Sequence, residues 1–96
     1  MTDSADAPQP LVRQATICNQ RGLHARAAAK FVRTAERFSA RVEVSRDDMT
    51  VVGTSILGLM LLAAGAGTVL TLRADGEDAE AALAALCDLI ERGFDE

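Results

Sequence analysis

From Met49 to Leu72 the chain carries no charged residue, and this run constrains the fold more than any other feature. About 20 apolar residues cross a hydrocarbon core of about 30 Å, so its length alone would permit a membrane helix. Against that, Gly53-Thr54-Ser55 interrupts one end, and Gly65-Ala66-Gly67-Thr68 lies inside. Such clusters cut a chain into short pieces. Val69-Leu70-Thr71-Leu72 then alternates as a strand does. A soluble domain explains the glycines, which a membrane helix would merely have to tolerate. The run is therefore expected to divide into a strand, a short apolar helix and a second strand, with no membrane insertion.

A chain of 96 residues supplies one small core and no second domain. Apolar residues at 49% and charged residues at 25% exclude whole-chain disorder and collagen-like repeats. Ten Lys and Arg against fourteen Asp and Glu give a net charge of -4, and three Phe without Tyr or Trp offer little to stack on bases. No nucleic-acid partner is expected. Cys18 and Cys87 lack metal-ligand spacing, and the N-terminus lacks the basic-then-apolar layout of a signal peptide. These features point to the cytoplasm, with both thiols reduced and both read as core residues.

Residues 1–10 read as a flexible leader, and a domain follows over residues 11–96. Leu11 to Cys18 reads as a strand entering the loop Asn19-Gln20-Arg21-Gly22. Ala28, Phe31, Val32, Ala35 and Phe38 recur at helical spacing, so a helix starting near His24 should bury its Phe face. Arg41 to Arg46 alternates, Asp47-Asp48 supplies a turn, and Met49 to Val52 completes a hairpin. Ser55 is a candidate N-cap for a helix running to about Leu62. After a strand to Ala74 and a turn at Asp75-Gly76, the acids Glu77, Asp78 and Glu80 should lie in the first turn of a last helix. That helix would bury Ala79, Ala82, Leu83, Leu86 and Ile90. The order implies an α+β open-faced sandwich, an antiparallel sheet with helices on one face. Its strand pairing stays open, because ferredoxin-like folds share much of this order.

The single histidine, His24, stands between a glycine loop and a helix start, where free N–H groups and partial positive charge favour anions. Arg26 adds donors suited to phosphate oxygens. Position alone favours a capping or surface histidine over a functional one. One His without a second His or a Cys nearby cannot close a transition-metal site.

The stretch Gly22-Leu23-His24-Ala25-Arg26-Ala27-Ala28-Ala29 resembles the phosphorylation-site signature of the HPr family, the histidine-containing phosphocarriers of the bacterial phosphoenolpyruvate-dependent phosphotransferase system. Thr54-Ser55-Ile56-Leu57-Gly58-Leu59-Met60 is similar to the family's second motif, around its regulatory serine. The resemblance runs from about Leu11 to Ile90 and implies four antiparallel strands covered on one face by three helices. It implies a carrier that takes phosphate on His24, through Nδ1, from enzyme I charged by phosphoenolpyruvate and passes it to a histidine on an acceptor domain. Such a chain is a phosphotransfer intermediate rather than a stand-alone enzyme. It serves sugar uptake or nitrogen-related regulation, and no cofactor or metal is implied.

By the same resemblance Arg26 attends the phosphate and Ser55 is a target for HPr kinase/phosphorylase. Two positions depart from the pattern: Ala27 replaces the usual proline, and Thr54 stands where many relatives carry a basic residue. Ile56, Leu57 and Met60 fall on a helix too short to bury every face, so an apolar partner patch is expected beside His24, with Ala25, Ala29 and Arg33 contributing. A monomer is expected. The competing reading is a regulatory binding module that uses the same surface under control of Ser55 phosphorylation.

Overall fold

Alternating apolar side chains on two central strands supply most of one buried sheet face, and the computed structural model, which describes residues 9–96, closes that face of a four-stranded sheet with three helices. The expected leader falls outside the described residues up to position 8. The strands are β1 (Leu11–Thr16), β2 (Arg41–Arg46), β3 (Met49–Val52) and β4 (Val69–Asp75). They lie in the order β1-β4-β2-β3, antiparallel throughout, which settles the pairing that periodicity left open. Leu72 lies opposite Arg13 on one side and Val44 on the other, and Thr71 opposite Gln14 and Ser45. Inward Ala15, Val42, Val44, Leu70, Leu72 and Ala74 are buried.

The helices are α1 (Ala25–Ala35), α2 (Ile56–Leu61) and α3 (Ala79–Glu91). The uncharged run thus becomes β3, α2 and β4, and no helix among the described residues is long and apolar enough to cross a membrane. α1 buries Ala27, Ala28, Phe31, Val32 and Ala35 and packs against both α2 and α3. It ends earlier than the spacing predicts. Phe38 lies in the following turn, half-buried against the core, with the Arg37 guanidinium 5.8 Å from its ring centre. On α3 all five expected stripe residues are buried.

Two local expectations need correction, and one element is new. Glu77 and Asp78 both precede α3, leaving Glu80 as the acid of its first turn, and the Asp78 carboxylate accepts the N–H groups of Ser39 and Ala40, both at 2.8 Å. It ties the α1–β2 turn to the start of α3. Cys87 is buried, but Cys18 is exposed, because strand alternation that turns Ile17 inward turns its neighbour out. Beyond α3, Gly93–Asp95 forms a single turn that the pattern did not foretell, with Phe94 wholly buried at φ 57°.

Candidate functional site

The loop between β1 and α1 is clamped before it reaches His24. The Gly22 N–H donates to the Asn19 carbonyl at 3.1 Å, and the Leu23 N–H donates to the Ala64 carbonyl at 2.9 Å. Gly22 has φ 65°, and a Cβ there would lie 2.3 Å from the Ala64 oxygen, so only glycine fits this turn. Leu23 is buried beneath the loop. With both neighbours fixed, His24 enters α1 as its N-cap in extended conformation.

A histidine cap leaves the helix end open, since its side chain makes no capping bond. The first intrahelical bond runs from the Ala28 N–H to the His24 carbonyl at 2.8 Å, so the amides of Ala25, Arg26 and Ala27 precede the ladder. Three donors and the positive dipole end therefore lie beside the ring. His24 Nε2 is hydrogen-bonded to the Glu96 carboxylate, whose other oxygen accepts from Asn19 Nδ2 at 3.0 Å. These two bonds, His24 first, hold the Glu96 carboxyl below its ordinary range. Nδ1 has no hydrogen-bond partner among the described residues and keeps its lone pair available.

Around this centre Arg26 is exposed and makes no ion pair among the described residues, as a cation reserved for an incoming anion would. Ala25 and Arg33 are exposed, and Ala29 is half-buried. Ala27, at the position of the family's usual proline, is fully buried. On α2 the Ser55 hydroxyl accepts the Gly58 N–H at 2.9 Å, which makes it the expected N-cap. Ile56, Leu57 and Met60 are exposed, Leu57 by 70%, while Leu59 anchors the helix in the core. Leu61 on the same helix is 62% exposed as well.

Periodicity missed three contributors. Glu96 meets His24 across 72 positions, and Lys30 Nζ donates to the Phe94 carbonyl at 2.6 Å, holding the last turn against α1. Asn19, which the sequence pattern places in a loop, bonds both to that loop and to Glu96. The only sequence signal for any of them was Phe94, a large apolar residue just beyond α3 that needed a place to pack.

A family model described as the PTS HPr component phosphorylation site matches residues 11–92. The chain is 45% identical over 86 residues to phosphocarrier protein NPr of Shewanella violacea, covering 90% of this chain and 94% of that protein. It is 52% identical over 82 residues to phosphocarrier protein HPr of Pseudomonas aeruginosa, covering 84% and 91%. The crystal structure of HPr-C-His from Thermoanaerobacter tengcongensis superposes with a TM-score of 0.86 at 45% identity, over 90% of this chain and 97% of that one.

Proposed function

Because the chain belongs to the HPr family of phosphocarriers of the phosphotransferase system, we propose that His24 is its phosphoryl acceptor, charged through Nδ1 by enzyme I and discharged to a histidine on an acceptor domain. One observation supports the assignment most: among the described residues Nδ1 has no partner while Nε2 is held, at a helix start with three amides ahead of the bonding ladder. The ring acts as nucleophile, and the amides of exposed Ala25 and Arg26 with the Arg26 guanidinium receive the phosphoryl oxygens. Ala27 keeps an N–H that the usual proline would lack, but the residue is fully buried. On this reading the 11–96 unit works as a monomer in the cytoplasm.

Docking of both partners falls to Ala25, Ala29, Arg33, Ile56, Leu57 and Met60, an apolar centre beside a basic rim suited to acidic surfaces. Ser55 is proposed as the regulatory site for an HPr kinase/phosphorylase, since its phosphate would fall within that centre. The deciding experiment is incubation with enzyme I and labelled phosphoenolpyruvate, followed by site mapping. The label should sit on His24, be lost in acid and persist in base. Equal labelling of His24→Ala would overturn the assignment. Arg26→Ala should slow transfer without changing the thermal midpoint, because an exposed arginine leaves no cavity.

A further inference from the structure

Asn19 is a loop residue only 7% exposed, yet its polar atoms serve the site rather than a sheet or helix. Its Nδ2 donates to the Gly22 carbonyl at 2.9 Å and to Glu96 Oε1 at 3.0 Å. Both partners are acceptors, so the NH2 end of the amide must face them. Oδ1 is left buried without a partner among the described residues. A buried acceptor without a donor is unfavourable for the fold, and what the orientation secures is one oxygen of the Glu96 carboxylate. The other oxygen is bonded to His24 Nε2.

We propose that Asn19 and Glu96 are positioning residues for phosphotransfer: Asn19 orients the Glu96 carboxylate, and the carboxylate fixes the imidazole with its hydrogen on Nε2 and its lone pair on Nδ1. The proposal deepens the phosphocarrier reading and rests on it. A carboxylate can only accept, so the hydrogen in the Glu96 contact belongs to Nε2, and in the neutral ring the nucleophilic pair is then on Nδ1. When that pair forms the N–P bond, the bond from phosphorus to the leaving group of phosphorylated enzyme I breaks, and its electrons depart with that group. The Nε2 hydrogen stays, and the ring becomes cationic. Glu96 then faces a full positive charge across an existing hydrogen bond, the role a buried aspartate plays behind the histidine of a serine hydrolase. Discharge to the acceptor reverses the charges, with the N–P pair returning to Nδ1.

The test combines ring-nitrogen NMR of the full chain with steady-state transfer from phosphorylated enzyme I, for wild type, Asn19→Ala, Glu96→Ala and Glu96→Gln. The neutral wild-type ring should be held in the Nε2–H form. Asn19→Ala and Glu96→Ala should give a mixture of both tautomers and lower kcat about tenfold, the lower end for loss of a charged hydrogen bond, at unchanged KM. Glu96→Gln, which keeps an acceptor but not the charge, should restore the tautomer and only part of kcat. Glu96 is exposed, so its variants answer the question even if Asn19→Ala disturbs the loop. Wild-type tautomer and kcat in both Glu96 variants, with His24 labelled normally, would overturn the positioning role and leave the carrier reading intact. Absence of label on wild-type His24 would overturn the carrier reading and the positioning role with it.

Discussion

Gly22 is the residue on which the site's backbone turns. Replacing it by alanine forces a side chain into the left-handed region, at about 1–2 kcal/mol, and into the Ala64 oxygen as well. Gly22→Ala should lower the thermal midpoint and slow transfer together. Loss of transfer with an unchanged melt would mean that the loop conformation is not what the glycine supplies. Ala27→Pro should behave differently, since its N–H precedes the helix ladder and the substitution removes no backbone bond of the fold. The expected result is competent transfer, stability within about 1 kcal/mol of wild type, and a phosphohistidine lifetime like that of wild type, since Ala27 is fully buried. Faster hydrolysis would place the Ala27 N–H among the phosphate donors. The two thiols differ as well: burial pushes Cys87 up while nearby Arg13 partly opposes it, so iodoacetamide should label exposed Cys18 well before Cys87. Mass spectrometry of a short exposure checks this.

At the scale of elements, α2 is a six-residue helix whose ends are satisfied by neighbours rather than by its own length. Ser55 caps one end. At the other, Arg46 Nη1 donates to the carbonyls of Leu62 and Ala63 at 3.0 and 2.7 Å, and Ala63 takes φ 52°. Ala63→Gly should therefore stabilise the domain by a few tenths to about 1 kcal/mol, read from denaturant melts. Ser55→Asp should retain the fold, because aspartate is as good a cap as serine, while weakening affinity for enzyme I by placing charge beside Ile56, Leu57 and Met60. Undiminished calorimetric binding would count against regulation at Ser55, and a collapsed melt would show it to be chiefly a cap. Elements with a regular period were legible in the sequence: the β2–β3 hairpin, the Ser55 cap and the α3 stripe all follow from neighbours within a few residues. What escaped depends on distant partners. Asp78 looked like a dipole acid because its real partners, two amides before β2, lie about forty positions away. The Gly93–Asp95 turn has no period at all, and with it Glu96 stayed invisible until the chain was folded.

Across the whole molecule the last turn links core and site. Phe94 fills the interior, Lys30 holds its carbonyl, Arg92 pairs with Asp88 and Asp95, and Glu96 reaches His24. Arg92 holds the Asp95 carboxyl below its ordinary value, as His24 and Asn19 do for Glu96. Carboxyls depressed in the folded state stabilise it above their unfolded pKa, and that contribution is lost as pH falls through the lower folded values. Acid should therefore loosen this turn. A carboxyl titration followed by NMR should find Glu96 returning towards the ordinary range in His24→Ala, and an unmoved titration would remove His24 as the cause.

The strand order has a consequence in time. β1, which leads directly into the site loop, lies at the edge of the sheet and, among the described residues, pairs only with β4, more than fifty residues further along. Local pieces such as the β2–β3 hairpin can close early, whereas this pairing must wait for a long loop to close. A refolding chain therefore gains much of its secondary structure before it has anywhere to hold His24, and recovery of phosphoryl acceptance should follow the slowest folding phase.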